Sequence, residues 1–472
     1  MTAFVHANVG VLMFIALGVL IFSGLPVALV LIGVGLGFGL LGWGMGLVRL
    51  TDFGIIYYRI FGSLSEYDDI LWAAVPLLIL MGAVLQQSGI ARELLLCLKV
   101  VLRRAPGGLA IAVTLIGVIL APAAGMIGAS VATLALVALP TMLEQGYRPS
   151  FATGAIAAAG TLGMGLPPGI MLFFLADAMG MQVPFIFLAM IGPALVLLAL
   201  YLGYYGVACW VNPRLAPERP ERYEGSGLAL LMYLLRSLVL PVALVVLILG
   251  SIIAGWASLS ESAAFGAAGA IVLSLLRGTF SARLLHQAIR QTAIMTAMVF
   301  FIFVGASFFS LIFRILGGVE AVTAFLGSLH LGNWGTLALV LAVIFAMGCF
   351  MDWVEIVLIS FTIFRPVLDS LDFAGHIDRP YVAFGWITVL VALTLQSSFL
   401  TPPFGFALFF VKGSAPVGVR MADVYKGIVP FVAIQLLVIA CVAAFPQIAT
   451  WLPDQFLNLE VTRGFKGHGL TG

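Results

Sequence analysis

GTLGMGLPPGIMLFF, residues 160–174, sets two adjacent prolines inside an apolar run, and SSFLTPPFGFALFF, residues 397–410, does the same about half a chain length later. A proline in a helix interior removes a backbone donor and clashes with the preceding turn, at about 3 kcal/mol or more each. Two hydrophobic helices broken in the same way need a common reason.

The surroundings narrow that reason. Of 472 residues, 62% are hydrophobic and 9% charged, with a mean hydropathy of +1.19. Ordinary soluble domains are about 25% charged. Many segments approach the roughly 20 apolar residues that cross a bilayer. The chain therefore reads as an all-α polytopic membrane protein, and no break is long enough for a soluble domain. The opening MTAFVHANVGVLMFIALGVLIF has no basic leader and no small-residue cleavage pattern, which predicts a retained first span and no signal peptide. Cys97, Cys209, Cys349 and Cys441 are scattered without metal or redox spacing. No Walker phosphate loop occurs, so ATP hydrolysis is not expected of this chain, and neither a cofactor nor nucleic-acid binding is read from it.

The basic residues assign sidedness. The breaks at 89–107, 144–150, 212–236, 277–290 and 412–426 hold fifteen of the 22 lysines and arginines. Those breaks are expected to face the cytoplasm. A consistent threading puts the N-terminus outside, with ten full crossings and two segments that enter and leave on one side.

The linker at 212–236 separates two similar series. FSGLPVALVLIGVGLGFGL corresponds to WASLSESAAFGAAGAIVLSL, and PLLILMGAVLQQSGIARELL to FFIFVGASFFSLIFRILGGVEAV. The expected organisation is a first repeat over 1–211 with a re-entrant hairpin near 108–145 and a broken helix near 151–180. A second repeat covers 237–453, with its hairpin near 336–366 and broken helix near 380–412, before a polar tail from 454. An odd number of crossings per repeat inverts one relative to the other, the plan of many secondary transporters. It supplies the common reason: irregular backbone at membrane depth is tolerated where it is buried in protein or lines a cavity. There freed carbonyls ligate a cation and half-helix N-termini favour an anion. The breaks fall at Pro167 and Pro168, and at Pro402 and Pro403. The plain alternative, a packing kink, explains one such break better than two.

Five stretches carry a family resemblance: GASVATLALVALPTMLEQGY, GTLGMGLPPGIMLFFLAD, VGASFFSLIFRILGG, FMDWVEI and LQSSFLTPPFGFALFFVKGSAP. In these the chain resembles, over nearly its whole length, the large membrane subunit of tripartite ATP-independent periplasmic (TRAP) transporters, DctM-like and of the longer subclass. Where that family usually has Pro-Pro-Ser at the first break, this chain has Gly169. The resemblance implies sodium-coupled import of an organic acid across the bacterial inner membrane by an elevator-type mechanism. It also implies two partners: a small four-helix membrane subunit (DctQ-like), expected on a separate chain, and a periplasmic substrate-binding protein (DctP-like).

Candidate site residues follow from residue chemistry within this frame. Asp352, at the second hairpin tip, is an intramembrane carboxylate and so a candidate for sodium or substrate, against the simpler role of capping the tip. Glu355, on the same helical face, would act behind it. Arg314 is the one basic residue inside an apolar run, and its guanidinium suits a carboxylate. The alternative is an arginine reaching for the interface. Ser130 is assigned to both substrate and sodium. Sodium wants several hard oxygens without added charge, which Thr133, Thr161, Ser397, Ser398 and Thr401 offer as hydroxyls. Gly163, Gly165, Gly348 and Met351 offer carbonyls. Each hydroxyl alone more often bonds its own helix. Glu261 reads as helix-start chemistry with Ser260 as its cap. SGIARELLLCLKVVLRR, from Ser88, reads as an amphipathic arm along the interface.

An intramembrane hydrolase would place His or Lys beside a serine within the bilayer, or carry HExxH. The five histidines fall in breaks and tails, and there is no HExxH. A channel has no need of two antiparallel broken units. The nearer alternative is a self-sufficient sodium–carboxylate symporter that needs no binding protein.

Overall fold

The computed structural model describes residues 2–65, 71–120, 127–217, 227–403 and 405–457, and all regular structure among them is helical. The first half contains α1 (Thr2–Ile21), α2 (Val27–Gly44), α3 (Leu50–Ser65), α4 (Ala74–Gln87), α5 (Ile90–Val101), α6 (Gly108–Leu120), α7 (Ile127–Glu144), α8 (Pro149–Leu162), α9 (Ile170–Met179) and α10 (Val183–Val211). The second contains α11 (Gly227–Ile253), α12 (Leu259–Leu276), α13 (Ala282–Ile315), α14 (Gly318–Ser328), α15 (Gly332–Gly348), α16 (Trp353–Asp369), α17 (Pro380–Ser398), α18 (Phe406–Ser414), α19 (Met421–Ala444) and α20 (Gln447–Phe456).

Among the described residues, seven helices are long and apolar enough to cross a membrane, or nine if each of two bent pairs counts as one span. The protein is a multi-pass membrane protein. The bends are 55° between α4 and α5 and 45° between the helices flanking the first Pro-Pro. Arm α6 has 13 residues and so rises about 20 Å, short of a bilayer core of about 30 Å. The expected hairpins correspond to α6–α7 and α15–α16, although the first tip, 121–126, lies outside the described residues, as does linker segment 218–226.

The two halves interlock reciprocally. Helix α2 packs on α13 and α4 on α12, so the second helix of the first half meets the third of the other, and the second helix of the second half meets the fourth of the first. The same exchange recurs deeper in the molecule: α7 packs on α18 and α16 on α9, while α19 packs on α8 and α10 on α17. Each hairpin thus touches its own half's pre-break helix and the other half's post-break helix. Inverted repeats account for this pattern, because the two-fold operation that exchanges the halves turns each inter-half contact into its reciprocal, α7 on α18 into α16 on α9.

Burial follows the interlock. Every residue from Phe151 to Leu162 of α8 is buried. In α17, 89% of the apolar window is buried, against 39% in α2 and α12. The broken helices are the centre of the molecule, and α2 and α12 are its outer scaffold. Where α8 crosses α19 the backbones meet at two glycines: a side-chain carbon on Gly154 would overlap the Gly427 carbonyl, and one on Gly427 the Ser150 carbonyl.

Local chemistry sets the helix ends. Helix α12 starts with a capping box in which the Glu261 carboxylate accepts the Ser258 N–H at 2.7 Å, and the Ser258 hydroxyl accepts the Glu261 N–H at 3.3 Å. The cap is therefore Ser258, not Ser260: Ser260 starts too late to reach the N–H groups of the first turn. Arm α5 turns off α4 at Gly89 (φ +76°) and buries Ile90, Leu94, Leu95 and Leu98. Its Glu93 receives a hydrogen bond from Arg277, at the end of α12, at 2.7 Å. Helix α9 ends at Gly180 (φ +66°), where Arg365 of α16 donates to the Ala178 carbonyl at 3.1 Å.

Candidate functional site

At the first break, α8 passes into a short 3-10 turn, Gly163–Gly165, before the chain resumes as α9. Pro167 and Pro168 have no N–H to give back, which leaves carbonyls of this turn short of donors. The Gly163 carbonyl is taken by the Leu166 N–H at 3.2 Å. Among the described residues, those of Met164 and Gly165 receive no backbone hydrogen bond. Of the two glycine carbonyls expected to be freed here, the structure frees that of Gly165. Gly163 is already engaged, because a 3-10 bond reaches it from a residue upstream of the prolines. Thr161 is fully buried, and its hydroxyl donates to the Ala157 and Ala158 carbonyls at 3.2 and 3.1 Å.

The second break is built alike. The Ser397, Ser398 and Thr401 hydroxyls donate to the carbonyls of Leu393, Leu395 and Ser397 at 3.0, 2.7 and 2.9 Å. A hydroxyl that gives its proton to its own helix still has a lone pair to offer, so this bonding orients the oxygens and leaves them able to hold a cation. Pro402 and Pro403 end the pre-break run as Pro167 and Pro168 do, and α18 begins after Gly405.

The hairpins bring further oxygens. Gly348, the last residue of α15, lies so close to α17 that a side-chain carbon there would overlap the Ser398 hydroxyl. Neither the Gly348 nor the Met351 carbonyl accepts a backbone hydrogen bond among the described residues. On the other hairpin, Ser130 is buried near the start of α7 and Thr133 half-buried a turn later. Gly160 of α8 sits against Val131 of α7. Each hairpin is therefore seated on its own half's pre-break helix, about two turns before the prolines at the first break and one turn before them at the second.

Asp352 is the N-cap residue of α16 in an extended conformation (φ −78°, ψ 158°), and the Glu355 carboxylate accepts its N–H at 3.4 Å. The pair forms a capping box at the tip, so the start of α16 is closed by the half-exposed Asp352 together with Glu355. Next to it, Trp353 starts a run of ring contacts to Phe174 of α9 (5.5 Å), Trp72 (5.1 Å) and Phe303 of α13 (4.3 Å). This run leads from the second hairpin to the scaffold, and motif reading does not single it out.

Arg314 is set apart from these clusters. It lies exposed in the last turn of α13, and its guanidinium has no hydrogen-bond or ion-pair partner among the described residues. Helix α13 does pack on α16, so the helix that carries Arg314 borders the second hairpin, while the charge itself faces outward. Gln396, by contrast, is in the centre: it is 1% exposed, and its amide oxygen would be 2.6 Å from a side-chain carbon on Gly165. A glutamine deep in an apolar helix is a signal that sequence alone carries, since burying an amide without partners is costly.

Comparisons with known proteins place this arrangement in a family. A family model described as the tripartite ATP-independent periplasmic transporter, DctM component, matches residues 14–448. The C4-dicarboxylate TRAP transporter large permease protein DctM of Pseudomonas aeruginosa is 28% identical over 391 residues, covering 83% of this chain and 87% of that protein. The ectoine TRAP transporter large permease protein TeaC of Halomonas elongata is 25% identical, covering 90% and 98%. The sialic acid TRAP transporter large permease protein SiaM of Vibrio cholerae is 24% identical, covering 93% and 97%. Among solved structures, the YdaH transporter of Alcanivorax borkumensis, described as having an unusual topology, matches with a TM-score of 0.55 at 14% identity over 87% of this chain and 90% of that one. That likeness concerns the fold.

Proposed function

The chain belongs to the DctM component family of tripartite ATP-independent periplasmic transporters, and on that premise we propose that it imports an organic acid by coupling to sodium, as the large permease of a binding-protein-dependent system. It is an inner-membrane transport protein and not an enzyme. The substrates named for its relatives are C4-dicarboxylate, ectoine and sialic acid, all of which carry a carboxylate.

The observation that carries the reading is the seating of Gly348 on the Ser398 hydroxyl. It supports a cation site assembled from hairpin and broken helix, neutral in its ligands and dependent on both for completion. In this proposal Ser398, Ser397, Thr401, Gly348 and Met351 hold one sodium, and Ser130, Thr133, Thr161, Gly163 and Gly165 hold another, Gly163 only if its carbonyl accepts a second partner. Asp352 and Ser130 meet the substrate between the tips, with Glu355 bracing Asp352, and Arg314, exposed at the end of α13 beside the second hairpin, meets the acid as it arrives. Sodium favours closed tips, and the hairpins and broken helices then move together past the scaffold. An ion drives this only through its differential affinity for the two states. The binding protein delivers the acid from outside, and the small four-helix subunit extends the scaffold.

The test is uptake into liposomes that hold this chain with its co-purifying small subunit, under an inward sodium gradient, with labelled organic acids and with or without the binding protein. Uptake needing sodium and the binding protein supports the proposal. Uptake that needs sodium but ignores the binding protein supports a self-sufficient symporter instead.

A further inference from the structure

We propose that Gln396 completes the cation site of the first break from the opposite half, as a neutral amide that accepts or donates according to occupancy. The inference rests on the sodium-coupled reading above and names a ligand which that reading lacks. Gln396 belongs to α17, two residues before Ser398, yet its side chain crosses to the first break and lies against Gly165, on which Met190 also closes. It is 1% exposed, and its amide nitrogen finds no hydrogen-bond partner. Opposite it, the carbonyls of Met164 and Gly165 find no backbone donor among the described residues. A buried donor without an acceptor thus shares a segment with acceptors that lack a donor. Such a group left unmatched is destabilising, and a helix at the centre of the molecule retains it only if something satisfies it.

A primary amide has two faces that exchange on a half-turn of its last torsion. With the nitrogen turned to Met164 and Gly165, it donates to their carbonyls, and the break is satisfied without an ion. With the oxygen turned to the same place, it joins those carbonyls and the Thr161 hydroxyl as a fourth neutral oxygen for a monovalent cation. The protein adds no charge of its own in either state. Because Gln396 and Ser398 share one turn of α17, and Ser398 seats Gly348, loading at the first break is transmitted to the second hairpin. The two ion sites are then coupled through the end of one helix.

The test uses the full chain with its small subunit, purified in detergent, and follows the sodium dependence of thermal unfolding with potassium as the control. Gln396→Met keeps the length and apolar stem but removes both polar faces. Its sodium midpoint is expected to rise about tenfold, the effect of losing one good polar partner, and the Hill coefficient to fall toward one. Gln396→Glu retains an oxygen and is expected to keep the midpoint at or below that of the unchanged protein. A Met variant with an unchanged midpoint and Hill coefficient overturns the proposal. If the Met variant does not fold, a Glu variant with a raised midpoint overturns it. If sodium fails to stabilise the unchanged protein at all, the sodium-coupled reading fails first.

Discussion

Gly348 and Ser398 occupy one place: the face of the glycine that lacks a side chain is filled by the serine hydroxyl. Hairpin and broken helix therefore meet without a spacer. Gly348→Ala forces one of them away, and overpacking of this kind costs about 1–3 kcal/mol. Sodium-driven uptake is expected to fall at least tenfold, with the protein still inserted. Ser398→Ala loosens this contact rather than crowding it and removes the oxygen, so it should raise the half-saturating sodium concentration while the substrate preference stays as it was.

Asp352 separates capping from charge. Asn is as good an N-cap as Asp, and Ala loses about 1 kcal/mol. Asp352→Asn is therefore expected to melt with the unchanged protein but to lose most uptake, since it keeps the cap and drops the carboxylate. An Asn variant that transports normally would leave Asp352 with the capping role alone.

Arg314 should behave oppositely to a buried ion pair. It is exposed and its guanidinium has no partner among the described residues, so Arg314→Ala is expected to leave the melting temperature unchanged. If its proposed role is right, half-saturation for the acid rises about tenfold or more, as loss of a charge-assisted contact predicts, while sodium dependence is retained. Uptake assays at varied substrate concentration decide this.

The arm α5 is tied to the scaffold by Arg277, whose side chain is 4% exposed, and Glu93, at 40%. Arg277→Met should destabilise by about 2 kcal/mol, the scale of a charged hydrogen bond. In a double-mutant cycle with Glu93→Gln, a coupling of about 1 kcal/mol is expected from thermal or denaturant unfolding. A coupling near zero would mean that the arm is held by its apolar face alone.

Gly180 combines two constraints. It closes α9 at φ +66°, and a side-chain carbon there would be 2.6 Å from the Arg365 guanidinium that bonds Ala178. Gly180→Ala is expected to cost about 1–2 kcal/mol for the left-handed backbone alone, plus whatever is lost by displacing Arg365. Arg365→Ala should cost less than Gly180→Ala, a ranking that parallel melting curves would test.

Much of this is written locally. Pro-Pro at 167–168 and 402–403 marks the breaks because a missing N–H acts on its own helix, whatever surrounds it. Ser258 and Glu261 are three residues apart and cap α12 by reach alone, although the choice between Ser258 and Ser260 depends on where the helix begins. Other positions are not legible in this way. Nothing in the run from Leu393 to Ser398 says that Gln396 faces Gly165 while Ser398 faces Gly348, since that depends on the rotation of α17 between two partners far off in sequence. Arg314 shows the converse: an arginine in an apolar run reads as a carboxylate ligand or as one reaching for the interface, and only the fold puts it in the exposed last turn of α13.

The sequence by itself determined a helical membrane protein of two related halves, each with a hairpin and a helix broken at Pro-Pro. Hydropathy, proline chemistry and hydroxyl content act over a few residues and need no partner to be read. The tertiary structure alone decided which oxygens share a site. It crosses the halves, so that α7 meets α18, α16 meets α9 and Gln396 reaches the break of the opposite repeat. Contacts of that kind come from close packing between distant segments, and close packing is a property of the assembled core that no local pattern contains.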